Sequence, residues 1–185
     1  MTAFKKGFTL IELLVVIAVL GVLAVVVLVA INPVQQLAKG RDTGRKSTVK
    51  QIGNSLQAYY TRTGSYLTSS NCDWVSGTHF LTCLVDEGEV GVEPDAIDYS
   101  AGSVSACTGG DDQQNNLCYD VAGTSLAVVY ATLESDTEDQ KCANPSTETP
   151  LFLWSSEDGR AGTICVSGSP PTWPSPGTFA GSWRD

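Results

Sequence analysis

Residues 13–31 read LLVVIAVLGVLAVVVLVAI and contain no charged side chain. As an α-helix this run rises about 28 Å, close to the roughly 30 Å hydrocarbon core of a bilayer. Its many β-branched residues disfavour a helix in water, but in lipid the backbone must satisfy its own hydrogen bonds. The sequence therefore predicts a membrane-spanning helix. A buried core segment is not favoured, because the run is too long and too uniform.

The average composition of the 185-residue chain conceals a strong division of charge. The net charge of −9 argues against binding nucleic acid through bulk positive charge, and the single histidine argues against a histidine-rich metal site. Residues 1–62 hold eight of the eleven basic and two of the twenty acidic residues, a net charge of +6, whereas residues 63–185 carry −15. An evenly mixed globular enzyme does not fit this division.

The apolar run has two ordinary explanations, a cleaved secretory signal and a plain membrane anchor, and the flanking residues bear on both. A cleaved secretory signal needs small residues before its cleavage site, but Leu28 stands at the minus-three position of the nearest candidate site, after Ala30. A plain membrane anchor is oriented by its basic flanks, which are ambiguous here because Lys5 and Lys6 precede the run and five basic residues follow it. Glu12 lies at the start of the run, where a carboxylate either marks the interface or has a functional partner.

The segment KKGFTLIEL, residues 5–13, resembles the class III signal of type IV prepilins and of type II secretion pseudopilins. The shared features are a basic leader, a glycine, an aromatic residue, a glutamate five positions after the glycine and an apolar continuation, and the resemblance covers about residues 1–66. It implies that a prepilin peptidase cuts between Gly7 and Phe8 and that Phe8 becomes an N-methylated terminus. It also implies that Glu12 pairs with the Phe8 amine of a neighbouring subunit, which would offset the desolvation of both charges and set the axial register.

The resemblance implies a structural role, as the subunit of a type IV pilus-like filament. The precursor would sit in the cytoplasmic membrane with its leader inside and its head outside, and would then polymerise through its N-terminal helix into an extracellular filament. The implied partners are other copies of the chain, minor pilins, the prepilin peptidase, an assembly ATPase, a platform protein and the membrane. The alternatives are a pseudopilin of a secretion or DNA-uptake system and a monomeric membrane-anchored binding module. We expect no enzymatic activity, cofactor or metal, and nucleic acid is not favoured as a partner.

Beyond the apolar run, the sequence predicts a second helical half. Pro33 removes a helix hydrogen bond, so we expect a kink there, with a complete stop as the alternative; pilin-like helices often carry a proline in this region. Gly40 and Gly44 predict local flexibility. Apolar residues then recur at helical spacing, which predicts a stripe packed under a sheet, and Gly64 is expected to end the helix. The stripe consists of Val49, Ile52, Leu56 and Tyr59 or Tyr60.

The basic residues of segment 39–50 leave three interpretations open. They form a solvated helix face, contact phosphates of lipid or DNA, or meet the acidic head of a neighbouring subunit. Residues 111–112 and 134–139 are acidic, and because they lack EF-hand spacing we expect solvated loops rather than calcium sites. His79 has no partner that the sequence identifies, so a catalytic triad is not favoured.

The remaining residues predict a small antiparallel sheet. Segments 117–121 and 126–133 flank a turn at 122–124, and segments 151–154 and 163–166 flank Asp158-Gly159, a strong hairpin signal. The fold class is therefore α+β, with a long N-terminal α-helix, transmembrane and then amphipathic, on a disulfide-rich antiparallel sheet. The expected organisation is a leader at 1–7, a membrane and filament-core helix at 8–31, a kinked amphipathic half at 32–64 and an exported head at 65–185.

All six cysteines lie in the expected head, and no Cys-x-x-Cys spacing occurs. An even number of cysteines in an exported domain predicts three disulfides, although fifteen connectivities are possible. Two pairs are eleven residues apart, which favours local pairing, and the last pair would tie the second hairpin. The favoured pairs are Cys72–Cys83, Cys107–Cys118 and Cys142–Cys165. The Pro-rich tail from residue 169 is expected to be extended, with Trp173, Phe179 and Trp183 as anchors to the sheet or to a neighbour; a disordered end is the alternative.

Overall fold

The computed structural model describes residues 7–72, 77–100, 106–168, 174–177 and 183–184. The chain divides into two compact units, Met1–Leu37 and Ala38–Asp185. The described ranges contain the helices α1 (Leu10–Ile31), α2 (Pro33–Thr63), α3 (Phe80–Asp86) and α4 (Asp136–Asp139) and the strands β1 (Asp112–Gln114), β2 (Leu117–Ala122), β3 (Leu126–Thr132), β4 (Glu148–Ser155) and β5 (Arg160–Ser167). The predicted α+β class is confirmed.

Beyond Glu12 in its first turn, helix α1 is apolar around its whole circumference, and none of its residues is buried among the described residues. Its mean hydropathy reaches 3.5, and it is the one helix of the described residues that is long and apolar enough to cross a membrane. A helix with apolar side chains on every face requires cover from lipid or from protein. The described residues of the chain do not provide that cover.

Asn32 separates α1 from α2. Its φ of 46° lies in the left-handed region, which asparagine tolerates better than most residues. Its carbonyl accepts hydrogen bonds from the N–H groups of Gln35 and Gln36, at 3.1 and 3.3 Å. Pro33 occupies the first position of α2, where its missing N–H breaks no helical hydrogen bond. The helical hydrogen bonding is therefore interrupted at Asn32, and Pro33 begins the second helix.

The five strands form one antiparallel sheet in the order β1-β2-β3-β4-β5. Both predicted hairpins are confirmed: β2 pairs with β3, and β4 pairs with β5 around the turn that contains Gly159. Strand β1 and helix α3 were not predicted from the sequence. Strand β1 is short and polar, and its one signal is the Asn115-Asn116 turn, in which both residues have positive φ.

One face of the sheet packs against α2. The predicted stripe is confirmed, because its members Val49, Ile52, Leu56 and Tyr59 are buried; Tyr60 is only partly buried. They join residues of β2, β3 and β4 in the larger of two apolar clusters. The helix ends at Thr63, as expected, and Gly64 follows with a φ of 78°.

Gly53 of α2 lies directly against the sheet. A Cβ atom at this position would lie 2.3 Å from Cγ of Trp154, and that indole is held edge-on against Tyr66 at 6.3 Å between ring centroids. Gly44, which the sequence marked as a flexible point, also packs closely, because a Cβ there would lie 2.8 Å from Cδ1 of Ile97. By contrast, a Cβ at Gly40 meets open space.

Substitution by alanine is expected to change the stability of the fold in opposite directions at Gly40 and at Gly53. Alanine is favoured over glycine in a helix by about 1 kcal/mol, so Gly40→Ala should stabilise the fold by about 0.5–1 kcal/mol. Gly53→Ala should instead destabilise it by about 1–2 kcal/mol net, since overpacking a core typically costs about 1–3 kcal/mol. Chemical denaturation of the oxidised full chain in detergent measures both. Equal effects of the two variants would contradict the close packing of Gly53 on Trp154.

The far face of the sheet carries a second apolar cluster, which includes Val128, Tyr130, Leu153 and Ile164. The C-terminal tail contributes Trp183, whose ring centroid lies 4.6 Å from the guanidinium carbon of Arg160 and whose ring a Cβ at Gly162 would approach to 2.8 Å. The next residue, Arg184, donates its N–H to the Thr163 carbonyl at 2.7 Å. Trp183 therefore anchors the tail to edge strand β5. Trp173, Phe179 and the segment 169–173 lie outside the described residues.

Three disulfides join the pairs that the spacing favoured. Cys72 is bonded to Cys83, Cys107 to Cys118 and Cys142 to Cys165, with Cα–Cα distances of 5.9, 6.1 and 5.6 Å. The first attaches Cys72 to the middle of α3, the second attaches segment 106–110 to β2, and the third ties the turn after α4 to β5. The chain has no free cysteine.

Candidate functional site

The first turn of α1 is closed by a reciprocal cap between Thr9 and Glu12. The Thr9 hydroxyl oxygen accepts the Glu12 backbone N–H at 3.3 Å, and Oε2 of Glu12 accepts the Thr9 backbone N–H at 2.8 Å and its hydroxyl at 2.6 Å. This is a capping box, in which two of the unpaired donors at a helix start are satisfied by each other's residues. The helix consequently begins at Leu10.

Gly7 and Phe8 precede this cap and are not helical. The Phe8 side chain is 78% exposed, and the position of a Cβ on Gly7 has no neighbour within 4 Å. The bond between Gly7 and Phe8 is therefore in open backbone, five residues before the carboxylate of Glu12. The structure places these three predicted residues together at one helix end, while Pro33 and the cysteines lie elsewhere in the chain. Residues 1–6 of the expected leader lie outside the described residues.

Comparison with known protein families identifies this end of the molecule. Residues 3–28 match the family model described as the prokaryotic N-terminal methylation motif. The chain carries a class III signal. Neither the curated proteins nor the solved structures compared with the chain contain a match to it.

The methylation motif is the signal found in type IV pilins and pseudopilins. Together with the exposed apolar helix α1, it fits a precursor anchored in a membrane. Proteins with this motif are generally structural subunits that assemble into filaments after processing, rather than enzymes. The motif covers residues 3–28 only, and this match assigns no role to the rest of the chain.

Within residues 38–185, a cluster of four charged side chains, three of them buried, joins α2 to the segment that follows β3. We call Arg41, Asp42, Arg45 and Glu134 the charge lock. Nη1 of Arg45 donates to Oδ1 of Asp42 and to Oε1 of Glu134, each at 2.9 Å, and both acidic side chains are at least 97% buried. Arg41 donates to the same oxygen of Glu134 and to the Ser100 hydroxyl.

The charge lock also satisfies backbone groups. The Asp42 carboxylate accepts the N–H groups of Glu134 and Ser135 at 2.9–3.2 Å, ahead of the short helix α4. Nη2 of Arg45 donates to the carbonyls of Ile97 and Asp98, and the Arg45 guanidinium lies 3.8 Å from the centroid of the Tyr99 ring. Buried charges persist when they are paired and hydrogen-bonded in this way. The lock therefore holds both α4 and the loop before β1 on α2.

The charge lock corrects two expectations. Segment 134–139 is not a solvated acidic loop, because Glu134 and Glu138 are buried. Glu138 also forms an ion pair with Lys46, with 2.7 Å between Oε1 and Nζ. The basic residues of segment 39–50 do not form a simple solvated face either, since Arg41, Arg45 and Lys46 pair within their own chain; Lys39 and Lys50 remain exposed. The pairs that Arg41 and Arg45 form with Glu134 could not be predicted from local sequence, because their members are about ninety residues apart.

Burial opposes ionisation of Glu134, but the hydrogen bonds from Arg41, Ser100 and Arg45 outweigh it and lower the pKa of this carboxyl to about 2. The ordinary value is 4.5. A carboxyl whose pKa is lower in the folded state stabilises the fold fully above pH 4.5, and this contribution is lost as the pH falls toward 2. It corresponds to about 3 kcal/mol at neutral pH.

We therefore expect Glu134 to contribute to acid denaturation of the head. Stability should fall steeply between pH 4.5 and about 2, and this part of the pH profile should flatten in Glu134→Gln, which no longer titrates. Urea denaturation at a series of pH values measures both profiles. Glu157→Gln, in an exposed turn, is the matched control and should retain the slope of the unmodified chain. An unchanged slope in Glu134→Gln would contradict the assignment.

Asp112 corrects a third expectation, because it does not lie in a solvated loop. It is 8% exposed, its Oδ2 accepts the N–H of Phe80 at 2.6 Å, and its Oδ1 contacts Nδ1 of His79 at 2.8 Å. Gln114 accepts the next two N–H groups of α3, those of Leu81 and Thr82. Strand β1 thus caps α3 with its side chains, and His79 has a structural partner.

One group of described residues has metal-ligand geometry: Cys142, Glu148 and Cys165. Both sulfur atoms belong to a single disulfide, so neither is a thiolate that could bind a metal ion. This group does not support a metal site.

Proposed function

We propose that this chain is the structural subunit of a type IV pilus-like filament. It is made as a membrane-held precursor, cut by a prepilin peptidase and polymerised through its N-terminal helix. The observation that carries the proposal is the class III signal at the start of a fully exposed apolar helix whose one carboxylate is Glu12. The disulfide-bonded head supports an exported location, because disulfides persist in oxidising compartments.

Processing would hydrolyse the peptide bond between Gly7 and Phe8. One water is consumed, the leader leaves with a carboxylate on Gly7, and the amine of Phe8 becomes the mature terminus, which a methyl donor then methylates. The open, non-helical backbone at this bond suits a peptidase, and a glycine before the bond leaves room in a narrow active site. Removal of Lys5 and Lys6 leaves nine basic residues against twenty acidic ones, so the mature charge becomes −11.

Assembly would bring α1 helices of several subunits together, with the heads outside the bundle. In that apolar environment Glu12 requires a partner, and the charged Phe8 amine of a neighbouring subunit is the proposed one. Other proposed partners are minor pilins, an assembly ATPase and a platform membrane protein. The proposed location is the cytoplasmic membrane for the precursor and the cell surface for the filament. A pseudopilin of a secretion or DNA-uptake machine shares the same signal and is the alternative.

Mass spectrometry of the chain produced together with a prepilin peptidase tests the processing step. The mature protein should begin at Phe8 and carry one additional methyl group on its amine. Gly7→Val should retain Met1, because its side chain blocks the peptidase, whereas Thr2→Val changes a leader residue away from the cut and should be processed normally. A mature chain that begins near Ile31, or an intact precursor in the presence of active peptidase, would overturn the proposal.

A further inference from the structure

One side of helix α2 is covered by an acidic segment. Segment 86–98, which begins at the last residue of α3, contains six acidic residues and no basic residue. A Cβ at Gly44 of α2 would approach Cδ1 of Ile97 in this segment to 2.8 Å. Further along the helix, the Ser55 hydroxyl donates to the Glu89 carbonyl at 3.1 Å. We call segment 86–98 the acidic flank of α2.

The other side of α2 carries three lysines. At 3.6 residues per turn, positions 39, 46 and 50 fall within about 40° of one another around the helix axis. The ammonium groups of Lys46 and Lys50 lie 5.8 and 5.4 Å from the centroid of the Phe152 ring of β4. Lys46 pairs with Glu138, whereas Lys39 and Lys50 are exposed. We call Lys39 and Lys50 the basic flank.

Both flanks hold charges that have no ion-pair partner among the described residues. Within the acidic flank, Glu87 and Glu89 pair with Arg62. The ion pairs of the described residues include neither Asp95 nor Asp98, which are both exposed, and they include neither lysine of the basic flank. These lysines stay exposed although acidic residues outnumber basic ones by twenty to eleven.

The unpaired charges of the two flanks lie at a similar level along α2. Asp95 lines a small cavity together with Arg45 and Thr48. The Asp98 carbonyl accepts a hydrogen bond from Nη2 of Arg45 at 2.9 Å. Both aspartates therefore lie beside the same turn of the helix. The two lysines of the basic flank are about 16 Å apart along the axis and stand on either side of that turn. A copy placed alongside this one can thus bring its aspartates opposite the lysines.

We propose that the basic flank of one copy binds the acidic flank of the next copy in the filament. Lys39 and Lys50 would face Asp95 and Asp98 of the neighbouring subunit. The partner is a second copy because the two surfaces are complementary in charge and lie on opposite sides of the same helix. A contact between two different surfaces of identical subunits repeats from copy to copy and builds an open filament. This inference rests on the proposed filament function.

The contact selects the neighbour and its register, and it is not the main source of assembly energy. Exposed ion pairs contribute little individually, because water and salt screen them. Like charges brought face to face, by contrast, suppress a pairing. Reversal of either flank replaces attraction by repulsion at every contact between neighbouring copies, so the effect is repeated along the filament.

Charge reversal of the full chain, in cells that assemble the filament, tests this contact. Lys39→Glu/Lys50→Glu has two acidic flanks, and Asp95→Lys/Asp98→Lys has two basic ones. Each variant alone should give about tenfold less sheared filament than the unmodified chain, because like charges face each other at every contact. Coexpression of the two variants should restore most of the yield, in mixed filaments in which the two chains alternate.

Two controls separate the contact from an effect of net charge. Lys39→Arg/Lys50→Arg preserves both positive charges and should polymerise normally. Glu157→Lys/Asp158→Lys, in the exposed turn of the β4–β5 hairpin, makes the same change in net charge as the reversal of the acidic flank. It should also polymerise normally, because neither residue belongs to a flank.

Thermal unfolding with the disulfides intact checks that each variant is folded. Asp95 is the sensitive position, since it lines the same cavity as Arg45. If Asp95→Lys lowers the Tm, Asp98→Lys alone takes its place, because Asp98 contacts Arg45 through its backbone carbonyl. The folded variants then report on the contact between copies.

Two results would overturn the contact. One is a normal filament yield from either reversed chain. The other is a low yield that coexpression does not restore, since the lysines would then bind a different partner, such as lipid phosphates. Filament formation by the unmodified chain is scored separately. Its absence would contradict the proposed function, whereas filaments that tolerate the reversals would contradict this contact alone.

Discussion

Glu12→Gln is expected to leave membrane insertion and cleavage after Gly7 largely intact and to reduce the polymerised fraction by at least about tenfold. The reason is that the charged amine of Phe8 would enter an apolar helix bundle without its partner, and an unpaired buried charge is strongly unfavourable. Glutamine is the informative replacement. Its amide oxygen can still accept the Thr9 N–H, so the helix cap seen in the structure is retained while the charge is lost.

The measurement separates processing from assembly. Mass spectrometry of the membrane fraction reports the mature terminus, and the amount of chain recovered in sheared, pelleted filaments reports polymerisation. Glu157→Gln removes one negative charge from an exposed turn of the head and should polymerise normally. Normal filament yield from Glu12→Gln would remove the pairing role assigned to this carboxylate.

Arg45→Met is expected to destabilise the head by about 3–5 kcal/mol, the largest effect on stability that we predict. Methionine preserves much of the side-chain length but leaves the Asp42 carboxylate, which is 97% buried, without its basic partner. The carbonyls of Ile97 and Asp98 also lose their shared donor. For a unit of this size the loss corresponds to a decrease in Tm of roughly 10 °C.

Arg62→Met provides the control for this prediction. Arg62 also pairs with two acidic residues, Glu87 and Glu89, but its side chain is half exposed. Exposed pairs contribute little because water and salt screen them, so this variant should leave Tm almost unchanged. Thermal unfolding with the disulfides intact measures the Tm of both variants. Similar small decreases in Tm would show that the charge lock does not hold α2 to the head.

The parts of the fold that the sequence predicted are those specified locally. The length and uniformity of residues 13–31 predicted α1, the spacing of Val49, Ile52 and Leu56 predicted the buried face of α2, and Asp158-Gly159 predicted a hairpin. The three disulfides join the pairs favoured by their spacing. In each case the physical signal lies within a few tens of residues.

The parts that escaped prediction depend on residues that meet only after folding. In the sequence, Glu134 is one of several acidic residues, and only the folded structure places Arg45 of α2 beside it. Gly53 is likewise an unfavourable helix residue by sequence, and its role is seen only where Trp154 packs against it. Strand β1 has no apolar alternation because its side chains cap α3. Such features could have been suspected only from residues that break a local rule, such as a glycine within a helix.

The central claim is that this chain becomes a filament subunit by losing its first seven residues. Electron microscopy of filaments sheared from the cell surface, combined with mass spectrometry of the purified filaments, tests it most directly. We predict that this chain is the principal component and that it begins at N-methylated Phe8. Surface filaments that lack this chain, together with an uncleaved chain that remains in the membrane with Met1 at its terminus, would contradict the account.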